Sequence, residues 1–161
     1  MRTIATIGVY DWTLEAWLAA LRTGGVHHVV DVRQRRGVRG SEYSWANAQR
    51  LQATLAEAGI SYEHRKELAP TTELRQLQYA EDDRVGVGKR SRAGLAPEYV
   101  ERYTREILGQ VDLRPIVAAL PQRASSALMC VERDPEACHR SLVAARLGLE
   151  HGLPVTHIRP G

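Results

Sequence analysis

The stretch 126-SALMCVERDPEACHRSLVAARLG-148 passes from an apolar run, through a polar turn, into a second apolar pattern of different period. Residues 126–131 read as a strand buried on both faces, since no polar residue alternates with the apolar ones. Asp134-Pro135 then offers a helix start, an N-cap followed by the residue whose fixed φ suits the first helical position. From there Cys138, Leu142, Ala145 and Leu149 recur at i, i+4, i+7 and i+11, and that spacing predicts the buried stripe of a helix ending near His151-Gly152. Strand, tight turn and helix in this order form half of a parallel crossover unit.

The same unit recurs toward the N-terminus. Residues 3-TIATIGV-9 predict a strand. Asp11 or Thr13 caps a helix carrying Leu14, Trp17, Leu18 and Leu21 that stops at Gly24-Gly25. The run 26-VHHVVDV-32 predicts the next strand, Ser44 a cap for a helix with Ala48, Leu51, Leu55 and Ala58 on one face, and 60-ISYEH-64 a third strand. Residues 66–96 are the least regular part, with a short helix around 72-TELRQLQYA-80. Helices over about 97–108 and 113–120 precede the fourth strand, and 154-PVTHI-158 gives a fifth. Strands separated by helices predict an α/β fold, a mainly parallel sheet of about five strands with helices on both faces. With 161 residues and 43% hydrophobic content, one domain spanning 1–161 is expected.

In such sheets ligands gather beyond the carboxyl ends of the strands. That places Tyr10, Asp11, Asp31, Arg33, His64, Glu132 and Arg133 along one edge. No run reaches the ~18–20 apolar residues of a membrane span, and Met1-Arg2-Thr3 leads into a strand rather than a signal peptide, so a cytoplasmic protein without a membrane partner is expected. Two cysteines make no disulfide framework. The net charge of +3 attracts nucleic acid weakly, so anion binding has to come from clusters: 33-RQRRGVRG-40, and 84-RVGVGKRSR-92 after Glu81-Asp82-Asp83.

The elements 7-IG-8, 31-DVR-33, 59-GISY-62 and, above all, C-x-E-x-x-P-x-x-C-H-R as 130-CVERDPEACHR-140 resemble the domain of unknown function 488 family along nearly the whole chain. Val9-Tyr10 stands where that pattern has a His-Ser pair, and 68-LAP-70 where it has Leu-Gly-Gly. The resemblance implies a compact α/β domain with its site at the C-terminal motif, and carries no reaction with it.

Four readings of that motif compete. Cys130, Glu132, Cys138 and His139 include metal-ligand types, but C-x7-C-H is not the close pairing of structural zinc sites and no second pair completes four ligands, so the spacing points to no metal and no cofactor. A thiolate at Cys138 would gain from a helix N-terminus, whereas a cysteine on the core stripe is a small buried hydrophobe. An anion site would use Arg33, Arg140 and the turn around Asp134, with Tyr10, Asp31 and Cys138 beside the ligand. Asp31 and Glu132 would equally serve as ion-pair partners for those arginines. If a reaction occurs, Glu132 and His139 are the proton-transfer candidates. Arg35, Arg36, Arg39 and Tyr43 could follow a nucleic-acid backbone and stack on bases, or belong to a solvated loop. No phosphate-loop spacing and no G-x-G-x-x-G follow a strand, which argues against ATPase and dinucleotide chemistry. The expected ligand is phosphate-bearing, a nucleotide or a nucleic-acid end that is bound and hydrolysed or altered by group transfer; the alternative is a non-catalytic nucleic-acid-binding or protein-interaction module using loop 33–45.

Overall fold

The computed structural model describes residues 1–161. Its five strands are β1 (Thr3–Ile7), β2 (Val26–Asp31), β3 (Ser61–His64), β4 (Ser125–Met129) and β5 (Val155–His157). All pair in parallel, in the order β3-β2-β4-β1-β5. β4 is buried along its whole length, as its unbroken apolar character demands. The helices are α1 (Leu14–Thr23), α2 (Ala48–Glu57), α3 (Thr72–Val85), α4 (Pro97–Tyr103), α5 (Arg114–Ala119) and α6 (Arg140–His151). No helix is long and apolar enough to cross a membrane.

The strand order fixes where a crevice opens. From β1 the chain steps one way to β2 and β3, then back to β4 and on to β5. Right-handed crossovers in opposite directions lay α1 and α2 on one face and α3–α6 on the other. At the β2–β4 boundary the outgoing connections part, toward β3 and toward β5, and a crevice forms beyond the carboxyl ends. Ile7, Asp31 and Met129 stand level across the sheet, with Asp31 opposite His64, so the residues expected along one edge do emerge there. Val9 and Tyr10 both donate their N–H to the Val131 carbonyl, at 3.0 and 3.1 Å, which pins the end of β1 to the segment after β4. A Cβ on Gly8 would come within 2.0 Å of the Glu132 carbonyl oxygen, so only glycine permits this approach.

Local chemistry accounts for most element ends. Thr13 Oγ1 accepts from Ala16 N at the start of α1, and Trp17 on that helix is fully buried and donates Nε1–H to the Gly8 carbonyl at 2.9 Å. α3 ends at Gly86 in a left-handed conformation, φ 79°.

Four expectations need correction. Ser44 does not cap α2: Ser41–Ala46 form a 3₁₀ segment and Asn47 holds the cap position, its side-chain oxygen instead accepting from Val38 N. α3 continues past residue 80 to Val85, because Gln78 and Asp82 find buried partners there. α4 is followed by one π turn, Thr104–Leu108. Asp134-Pro135 starts only a 3₁₀ turn, Pro135–Ala137, which ends where Cys138 turns extended (φ −139°). α6 therefore begins at Arg140. Its buried face is Arg140, Val143, Ala144 and Leu147, while Ala145 and Leu149 face solvent.

Candidate functional site

The segment after β4 carries Cys130, Val131 and Glu132 over the crevice, and the 3₁₀ turn returns the chain so that Cys138 and His139 face them. His139 Nε2 lies 2.8 Å from the Val32 carbonyl. A carbonyl oxygen can only accept, so Nε2 carries the proton and Nδ1 is the free nitrogen. Nδ1 lies 3.7 Å from Cys138 Sγ and 3.9 Å from Cys130 Sγ. The Tyr103 ring rests against the imidazole at 5.6 Å, with its hydroxyl on the Leu68 carbonyl. Cys130 Sγ donates to Glu132 Oε2 at 3.4 Å.

Glu132 is held from the far side by a region that looked irregular in sequence. Its Oε1 accepts from Arg92 Nη2 at 2.9 Å, and Arg92 Nη1 reaches Asp82 Oδ2 at 3.1 Å. Asp82 Oδ1 accepts from Gln78, whose own carbonyl oxygen accepts from Ala96 N. All four of these side chains are buried. Leu74, Gln78 and Asp82 lie at i, i+4 and i+8 on α3, so two polar residues on a core stripe were the available signal for this half of the site.

Burial disfavours charge throughout this floor, and the neighbours decide what survives. For Cys138 burial raises the pKa, but the Cys130 S–H and the charges of His139 and Arg140 bring it well below the usual thiol range. The Cys130 thiol is pushed well up, by its bond to Cys138, by burial and by the Cys138 and Glu132 charges. Burial lowers the His139 pKa while the Cys138 thiolate raises it, and the net is upward. Glu132 is held above the ordinary carboxyl range by burial and the Cys138 charge, against Lys89, Arg92 and His139. The floor therefore sets two unlike thiols beside one imidazole, whose Nδ1 faces both sulfurs.

These groups line a cavity of about 50 Å³ whose wall also includes Lys89, Tyr79, Arg75 and Arg35. It adjoins a wider cleft of about 690 Å³ lined by Arg35, Arg39, Arg75, Lys89 and Arg90, together with Tyr10 and Tyr79, and by no carboxylate. Lys89 and Arg35 line both spaces and neither makes an ion pair. Burial opposes the Lys89 charge, yet Glu132 and the nearby Tyr79 and Tyr10 oxygens raise its pKa overall.

Other expected site residues have structural partners. Arg33, 1% exposed, gives Nε and Nη2 to the two oxygens of Asp31 at 2.9 and 2.8 Å and Nη1 to the Ala46 carbonyl at 2.9 Å. Tyr62 completes Asp31 at 2.6 Å. Arg140, fully buried, donates to the Glu132 and Arg133 carbonyls at 2.7 and 3.1 Å and so fixes the bend that carries the carboxylate. Asp134 caps nothing with its side chain and lies near Arg133 and Arg159. Arg36 turns away to Tyr62. Tyr43 is buried against Tyr10, its hydroxyl accepting from Asp11 N, and Arg90 stacks over both rings. Trp45 is tucked against Trp17. Of the residues named from sequence, Cys130, Glu132, Cys138 and His139 meet at the floor and Tyr10, Arg35 and Arg39 in the outer cleft.

A family model described as "Domain of unknown function DUF488" matches residues 13–147. No curated protein and no solved structure matches the chain.

Proposed function

Because the chain belongs to the family of the domain of unknown function DUF488, a description that carries no reaction, its function has to be argued from its own site, and we propose that it binds a phosphate-bearing ligand, a nucleotide or a nucleic-acid end, and hydrolyses it. The observation that carries this reading is the outer cleft: five cations, two tyrosines and no carboxylate around a volume suited to a nucleotide. Cations that lack an acidic partner are stabilised by an anion, and Arg35, Arg75 and Lys89 are the three that line both the cleft and the cavity, of which Arg35 and Lys89 have no side-chain partner in the protein. Arg92 supports the same reading from inside, since its buried Nε lacks a partner while the other two nitrogens hold Asp82 and Glu132.

In this reading the phosphate sits among Arg35, Arg75 and Lys89, and the bond to be broken points toward the floor. Glu132 is the proton acceptor for an attacking water. His139 has one nitrogen on Val32 and the other on the two sulfurs, so it orders the thiols and leaves proton transfer to Glu132. Two free cysteines at the floor suit a reducing compartment, which supports a cytoplasmic location.

The test is fluorescence anisotropy with a labelled nucleoside monophosphate and a 5′-phosphorylated single-stranded oligonucleotide, titrated against salt. Arg35→Ala and Lys89→Ala should each weaken binding about tenfold and flatten the salt dependence. Glu132→Gln should bind as the parent does and lose turnover. Equal binding by the parent and an Arg35→Ala/Lys89→Ala double variant would remove the basis of the proposal. Binding without turnover in the parent would favour the non-catalytic module.

A further inference from the structure

We propose that Cys130, Cys138 and His139 form a binding site for a zinc ion, with the fourth coordination position opening into the cavity. Cys130 Sγ, Cys138 Sγ and a His139 ring nitrogen all lie within 4.8 Å of one another, and Nδ1 is 3.7 and 3.9 Å from the two sulfurs. In a tetrahedron with Zn–S of about 2.3 Å and Zn–N of about 2.0 Å, neighbouring donors stand about 3.5–3.8 Å apart. Both Nδ1–sulfur separations thus lie within a few tenths of an ångström of the spacing an ion requires, and the two sulfurs lie within 4.8 Å of each other.

The imidazole is already prepared. Its Nε2–H is fixed on the Val32 carbonyl, so the lone pair of Nδ1 faces the sulfurs, which is the arrangement that supports metal-ligating histidines elsewhere. All three donors are buried on ordered elements, two of them at the start of α6 and one where the chain leaves β4. Two thiolates cancel a divalent charge in a place where either charge alone would be costly. Two sulfurs and an imidazole favour zinc over the hard cations magnesium and calcium. The spacing C-x7-C-H conceals this set, because the pairing that zinc sites make along one loop is made here between a strand end and a helix start.

Glu132 stands outside the mutual set of donors. Its Oε2 touches Cys130 Sγ at 3.4 Å and its Oε1 is held by Arg92, which leaves it beside the fourth position. At roughly 10–15 Å³ for each water, a cavity of about 50 Å³ has room for a water on the ion and a few more behind it. The ion makes that water more acidic; one O–H bond breaks, its proton passes to a Glu132 oxygen, and the hydroxide stays on the metal. This last step rests on the hydrolytic reading above, whereas the ion site rests on the donors alone.

The full chain, purified, stripped with a chelator and returned to zinc, should hold one zinc per chain by elemental analysis. Cobalt in its place should give thiolate-to-metal charge transfer and the intense d–d bands of four-coordinate cobalt. Zinc should also raise the melting temperature of the unmutated chain and slow the labelling of both thiols, with a chelator reversing both effects. Cys130→Ser and Cys138→Ser should each lose the ion. The site is refuted if the unmutated chain takes up no zinc, if cobalt shows only weak octahedral bands, or if the ion survives in a Cys130→Ser/Cys138→Ser double variant. Rapid labelling of one thiol whether or not zinc is added would instead assign the pair to nucleophilic or redox chemistry. Zinc uptake without nucleotide binding would refute the functional reading and spare the metal site, and nucleotide binding without zinc uptake would do the reverse.

Discussion

Arg33 and Arg35 are two residues apart on the loop that leaves β2, and they differ in everything but charge. Arg33 is enclosed and has three hydrogen bonds to protein acceptors, two of them to Asp31. Arg35 is exposed, lines both the cavity and the outer cleft, and makes no ion pair. The same contrast separates the floor of the site from its rim. At the floor almost every polar atom already has a protein partner; at the rim Arg90 has Glu42 and Arg75 has Gln34 and Tyr79, while Arg35 and Lys89 have none. A charge that is already matched organises structure, and a charge left unmatched at the mouth of a cavity is the one a ligand can use.

The sharpest way to break this comparison is to truncate both arginines. Arg33→Ala leaves Asp31 buried without its cation and should cost about 3–5 kcal/mol in urea unfolding. Arg35→Ala should stay within about 0.5 kcal/mol of the parent and show its effect in ligand affinity. Equal destabilisation by the two would mean that the rim is structural as well. A second, smaller effect is expected from Tyr103→Phe, which removes the hydroxyl from the buried Leu68 carbonyl but keeps the ring against His139. About 1–2 kcal/mol should be lost by thermal melting, with anion binding at the rim unchanged. A loss of binding would show that floor and rim are mechanically linked.

The smallest effect concerns pH. Burial, then the Arg140 and Arg159 charges, hold the His157 pKa below its ordinary value against Glu136, and its Nδ1 lies 2.7 Å from the buried hydroxyl of Thr6. The folded protein thus binds fewer protons here than the unfolded chain does. Its stability should fall as pH drops through the ordinary histidine range near ~6.5 and be level above it. His157→Gln should flatten that part of a stability-against-pH curve. A slope of the opposite sign would show that protonated His157 is better accommodated in the folded state than its surroundings indicate.

Sequence revealed the sheet and the floor of the site better than the rim. Unbroken runs such as 26-VHHVVDV-32 and 126-SALMCV-131 have no exposed face to offer, so both the strands and the edge at which they end could be read. Cys130, Glu132, Cys138 and His139 could be named because a strand end, a tight turn and a helix start bring them close within a short span of chain. Asp134-Pro135 misled for a related reason, since the signals for a 3₁₀ turn and for a helix are the same until Cys138 turns extended. Arg33 and Arg140 could be recognised as charges near the site, but their roles depended on the Ala46, Glu132 and Arg133 carbonyls, which no side-chain pattern advertises. Arg92 and Lys89 reach Glu132 from some forty residues away in the chain, from a loop whose position depends on α3 packing as it does.

Gly8 remains, with clearance at its α-carbon for a hydrogen and nothing larger. The peptide it faces belongs to Glu132, so one added methyl would push on the backbone that carries the carboxylate, from the end of the neighbouring strand β1. Gly8→Ala is thus a remote handle on Glu132, reaching the residue to which the proposed turnover is assigned from the side away from the proposed ligand.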